Sequence, residues 1–455
     1  MAEQSTIERY TGAFGAQRGG LAGSGLPWLS TLRDDAIATF GDIGFPGKKN
    51  EDWKYTSVSA LVGTEFVAPD ASVAEARRAD IARAVAALPV ADGDIVLVFA
   101  DGRYVGDLSR LCDVTGVQAS SLAELLGKGD GAIESVFGRC LDAGSHGFAA
   151  LNAAFAADGA VVTIGKGVAA SNTIHVLHYA TAAGAPTISH ARNIVVAEAG
   201  SNARVVEHYG GDQGADALGN VVTELILSDD AHLSHAVVQC VPETATHIHR
   251  IEARQARGSN LRSHVVTLGA ELSRIEVRVV LDGEGAECSL DGLYALADDQ
   301  HADHHTLIDH AAPHTNSREL YKGIIDDDAR GVFTGRIIVR PDSQHINADQ
   351  ANRNLLLADG AVAEARPQLE IYADDVKCSH GCTVGRLNEE SMFYMRQRGI
   401  GETEARRLLT VAFAGEVLDE LGDEDLARAL RGQLTAKLAH ETRTAGDTNG
   451  SKGKK

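Results

Sequence analysis

Aromatic side chains are scarce, at 5% of the 455-residue sequence, and there are only two Trp and three Met. A core built on large rings is therefore not expected. The 48 Gly and abundant Ala and Val favour small, repeated packing units. No stretch approaches the ~20 apolar residues that span a bilayer. The start, Met1 to Thr6, has no basic segment followed by an apolar run, so no signal peptide is expected and the cytoplasm is the expected compartment. Six Cys scattered along the chain do not form a disulfide framework, and reduced thiols are expected. Cations are outnumbered, 42 Lys and Arg against 63 Asp and Glu, for a formal charge of -21. That balance argues against a general nucleic-acid binder. The one basic run, Lys452 to Lys455, reads as a solvated end.

Several catalytic signatures are missing. The nearest approach to a P-loop, Gly159 to Gly165-Lys166-Gly167, has one residue too many between its glycines and lacks the Ser or Thr that would hold magnesium. The chain is not expected to hydrolyse ATP itself. There is no Gly-x-Ser-x-Gly elbow, His-Glu-x-x-His helix or Cys-x-x-Cys pair.

What is present falls into zones. Residues 1–93 read as a mixed, helical region. Trp28 to Phe40 and Ala74 to Leu88 have helical character, with the charged and aromatic Asn50 to Thr56 between them. Residues 94–387 carry short β-branched runs, among them Ile95 to Phe99, Val161 to Ile164, Val221 to Leu227 and Ile275 to Leu281, separated by Gly, Asn and Asp turns. The weak repeat of roughly 25 to 30 residues, without tight hairpin signals, favours a mainly β solenoid over a sandwich. Residues 388–440 read as helical, with Asn388 as a cap and Glu402 to Leu421 amphipathic. Residues 441–455 are polar and expected to be disordered.

Three groups of residues suggest chemistry. His301, His304, His305, His310 and His314 read mainly as surface decoration, with His310 and His314 the better functional candidates. His247 and His249 share a face if extended and could chelate. The third group is Cys378-Ser379-His380-Gly381-Cys382. In a strand, Cys378, His380 and Cys382 project from one face about 6.8 Å apart, and thiolate and imidazole suit iron, zinc or copper. Lys377 would favour a thiolate at Cys378. A metal site, a catalytic thiol and a set of small core residues all remain open on these residues alone.

A longer pattern narrows this. Asn316 to Ile324, Gly331 to Gly335, Asn352 to Leu357, Pro367 to Gly381 and Phe393 to Ile400 together resemble the SufB/SufD family of iron–sulfur cluster assembly proteins. Asn50 to Thr56 resembles the N-terminal motif of the SufD branch. That branch fits better than SufB, because Leu357 to Gly360 lacks the cysteine that SufB proteins typically carry there. Cys382 departs from the pattern, since relatives often have a small residue there. The resemblance implies a right-handed parallel β-helix core flanked by helical regions. It implies a non-catalytic scaffold subunit of a SufBCD complex, paired with SufB through the β-helix and docked on the ATPase SufC by its C-terminal helices. Self-pairing of the isolated chain is compatible with it. It also implies a transient iron–sulfur cluster shared with SufB, with Cys378 and His380 at the interface and Cys382 as an optional further ligand. Two other readings stand beside it: a β-solenoid enzyme acting on polysaccharide or acyl substrates, and a metal-binding protein that uses Cys378, His380 and Cys382 alone.

Overall fold

A computed structural model describes residues 2–448 except 48 and 130. From Ile95 onward, successive long strands alternate between two sheets, so that the chain winds as a β-solenoid of about eight turns. Within each sheet, neighbouring coils pair parallel and in register. Leu261, Cys288, Ser317, Ala348 and Cys378 lie one above the other in the first sheet, 27 to 31 residues apart in sequence. This matches the repeat legible in the sequence. Alternation sends every second side chain inward, where Leu233, Leu261, Ile275, Val277 and Leu290 form one continuous apolar core. The corners need left-handed backbone, supplied by Gly258 and Gly285 and, less usually, by Asp230 and Asp327.

The solenoid is interrupted. Helices Leu122–Lys128, Gly131–Glu134 and Gly147–Phe155 fall inside the stretch expected to be strands throughout. Gly147–Phe155 is wholly buried and reads GFAALNAAF, an apolar run that periodicity alone cannot divide between strand and helix. It packs with helices Ala2–Gln17 and Pro27–Ile43 in a second cluster of Tyr10, Phe14, Phe40, Phe45, Trp53 and Phe148, against Leu218 and Ile248 of the second sheet's outer face. The expected single helix over 74–88 is two, Ala71–Ala76 and Arg78–Ala86.

At the other end of the chain, helices Glu402–Asp419 and Glu424–Thr448 pack on the outer face of the first sheet. Val417, Leu418, Leu430 and Leu434 meet Val206, Val266, Leu293 and Leu320 there. Buried Lys322 fixes the contact by donating to the Phe413 carbonyl at 2.9 Å and pairing with Glu416 at 2.5 Å. The apolar face of the 402–419 helix is thus internal. The last helix passes the 440 boundary expected for it; the remainder of the expected disordered tail, 449–455, lies outside the described residues. Helix Glu389–Gln397 begins at Asn388, whose side chain accepts from the Ser391 amide at 2.9 Å. It buries none of its side chains, and Phe393 and Tyr394 stand exposed. Among the described residues no helix is long and apolar enough to cross a membrane.

Candidate functional site at the open end of the solenoid

The strand Val376–Gly385 is the last of the first sheet and pairs on one side only, with Ile346–Leu356. Cys378, His380 and Cys382 stack on Ala348, Gln350 and Asn352. Those three residues are almost fully buried and face the solenoid interior. The trio therefore continues the interior columns into the final coil, where nothing lies above it in the sheet. Cys378 is half-buried against the core, while His380 and Cys382 are exposed. The neighbouring Ser379 points the other way and hydrogen-bonds Asp349.

Lys377 does not do what its place in the sequence suggests. Alternation puts it on the opposite face from Cys378. Burial raises the Cys378 thiol pKa, and a backbone hydrogen bond from Ala348 partly opposes that. As it stands, the chain keeps this sulfur a thiol. A cation or metal brought close would be needed to favour thiolate.

Beneath the trio, the interior is polar. Gln350 donates to Glu319 at 2.6 Å, and each keeps one buried oxygen without a partner. Burial pushes the Glu319 carboxyl up to about 7. Two tyrosines fill the same layer, and small residues leave room for them: a side chain at Gly292 would collide with the Tyr321 ring, and one at Gly323 with Tyr294. This polar column escapes sequence reading because its members lie about 30 residues apart and meet only through coil register. The one signal in the sequence is the polar run Asn347 to Asn354 within an otherwise apolar repeat.

The other candidates fall elsewhere. His304 and His310 are buried inside, not on the surface. Burial lowers both to about 4, and His310 is hydrogen-bonded to Thr315 and Ser317. His301 and His305 are on the outer face, against Thr56 and Asp303. His314 sits at a corner with positive φ, stacked on His345. The alternation of strand His301–His310 separates residues that sequence proximity suggests as a group. His247 and His249 are both buried, and His249 lies 3.0 Å from the Thr223 hydroxyl. Among the described residues, no three His, Cys, Asp or Glu side chains gather as a metal site, the 378–382 trio included.

Residues 178–413 match the SUF system FeS cluster assembly, SufBD core domain, and residues 4–176 match the SufBD protein N-terminal region. The chain belongs to the SufBD family. It is 32% identical to an iron-sulfur cluster assembly SufBD family protein of Synechocystis, over 89% of this chain and 90% of that one. It is 29% identical to the iron-sulfur cluster assembly protein SufD of Escherichia coli, over 87% and 90%. Protein ABCI7, chloroplastic, of Arabidopsis thaliana is 28% identical over 91% and 87%. SufBD membership gives the chain a scaffold role in iron–sulfur cluster assembly, and the polysaccharide- or acyl-acting enzyme finds no support.

Proposed function

We propose that this chain is the SufD-type, non-catalytic subunit of a SufBCD complex. SufB joins it at the open coil, and SufC hydrolyses ATP while docked on the region 388–440. The nascent iron–sulfur cluster is cargo, held transiently between the subunits. Cys378 and His380 supply this chain's ligands, with Cys382 a further thiol within reach. The compartment in this reading is the cytoplasm.

The observation that carries the proposal is the position of Cys378 and His380 on a strand with an unpaired edge, where, among the described residues, no three His, Cys, Asp or Glu side chains gather as a metal site. A four-coordinate iron needs more donors than this face provides, and a partner strand added to the free edge would bring them within reach. The exposed Phe393 and Tyr394 of helix Glu389–Gln397 leave apolar surface for SufC in the region beside it. The helix Glu402–Asp419 offers SufC only its outer face, since its apolar stripe is used internally.

Co-expression with SufB and SufC tests the assembly; elution of this chain alone would sink it. Iron and sulfide content of the purified complex tests the site. His380→Ala and Cys378→Ala are each expected to lower both, and unchanged content in both variants would remove the assignment.

A further inference from the structure

A second built site lies on the other sheet from Cys378, where Asn50 to Trp53 covers the outer face of the second sheet. A cavity of about 240 Å³ sits there, well above the ~30 Å³ share of one water. Its floor is a charged grid set by strand register. Arg250, Glu276, His305 and Thr334 form one row; Glu252, Arg278, Leu307 and Arg336 form the next.

Most of these charges neutralise one another. Arg274 lies under the Trp53 ring, 3.8 Å from its centroid, and pairs with Glu276 at 2.6 Å and with Asp303. Arg250 donates to Glu252 at 2.6 Å and to Glu276 at 2.9 Å, and His146 lies 3.2 Å from Glu276. Glu51 pairs with Arg366 at 2.6 Å. Asp52 is exposed at the mouth. These contacts account for how the N-terminal segment is anchored.

They leave donors over. Arg250 is 3% exposed, and its Nη2 has no acceptor. Among the described residues Arg278 makes no side-chain hydrogen bond or ion pair, although burial raises the neighbouring Glu252 carboxyl pKa and the Arg278 charge partly opposes that rise. Arg336 has one loose partner, Glu370 at 3.5 Å. Arg278 and Arg336 flank Leu307 two strand spacings apart, about 9.6 Å between backbones, so both guanidinium groups can reach a single group between them. A carboxylate is satisfied by one guanidinium fork; two forks facing one space suit a tetrahedral dianion.

We propose that this cavity binds a phosphate group, held by Arg278 and Arg336. The source is either inorganic phosphate or a small phosphate monoester.

Calorimetric titration of the full chain with inorganic phosphate, and separately with glycerol 2-phosphate, at fixed ionic strength tests this. Saturable binding is expected with at least one of them. Arg278→Gln and Arg336→Gln are each expected to weaken it about tenfold or more, the loss of one charge-assisted hydrogen bond, with unchanged melting temperature. Tighter binding of the monoester would identify an organic ligand, and equal binding free phosphate; both agree with the proposal. Lack of saturation with either ligand, or binding that survives both substitutions, overturns it.

Discussion

At its first coil the solenoid ends in two short antiparallel strands, Arg103–Tyr104 and Val117–Ser121, and the chain between them runs across the lumen with Tyr104, Cys112 and Val114 packed on the core. At its last coil, strands Val362–Ile371 and Val376–Gly385 end their sheets with a free edge and are at least partly exposed along their whole length. A free edge is a template for pairing with another chain, and natural proteins blunt it unless it is used. One end of the molecule is blunted and the other is not. Buried charges near the two ends differ in the same sense. Near the covered end, under the helices on the second sheet's outer face, buried Arg192 donates to Glu224 at 2.6 Å and to the Asn152 side-chain oxygen at 3.1 Å, and the Gly138 and Cys140 amides donate to Glu224. Near the open end, Glu319 is buried with an amide and no cation beside it.

This contrast can be broken first at the covered end. Arg192→Ala leaves Glu224 as an unpaired buried charge and is expected to destabilise the chain by about 3–5 kcal/mol, read by urea unfolding. A loss below about 1 kcal/mol would mean that this end is not the rigid one.

A smaller effect is expected at Glu319, and it depends on pH. Its folded pKa, about 7, lies above the ordinary glutamate value, so the native state holds a proton that the unfolded chain releases more readily. The stability from that proton is full below the ordinary glutamate value, near 4.3, and is lost as pH rises through 7. Glu319→Gln removes this dependence. The variant should match the parent at pH 4 and exceed it at pH 8, by up to about 3.5 kcal/mol. Parallel stability–pH curves for the two proteins would show that Glu319 ionises normally.

The smallest stability change is expected at the free edge. Val384 is exposed on the terminal strand, and Val384→Lys should shift stability by no more than about 0.5 kcal/mol. The same substitution places a charge on the edge and should abolish co-purification with SufB. Retained co-purification would place the interface elsewhere.

Much of this architecture is legible before any coordinates. The runs Val221 to Leu227 and Ile275 to Leu281 announce strands, their spacing announces coils, and Asn388 announces the helix that follows it. The wholly apolar Gly147–Phe155 segment carries no period that separates helix from strand, and only its burial among Phe14, Phe40 and Phe45 makes it a helix. Histidines illustrate the limit at the site. Five of them within 14 residues look like one cluster, yet alternation and coil corners send them to the lumen, the outer face and a turn. The reverse holds for Arg278 and Arg336, which lie 58 positions apart in sequence and flank one residue in space.

By itself, the sequence determined the repeat, the alternation within each strand and the presence of two thiols and an imidazole on one face of the last one. These follow from backbone geometry and nearest-neighbour spacing, which act along the chain. Which face of that strand looks inward, that its outer edge is unpaired, and that Glu319 and Gln350 lie beneath His380 were decided only by tertiary structure. Each depends on how residues about thirty positions apart stack between coils, and pairing free energy, not local preference, sets that register.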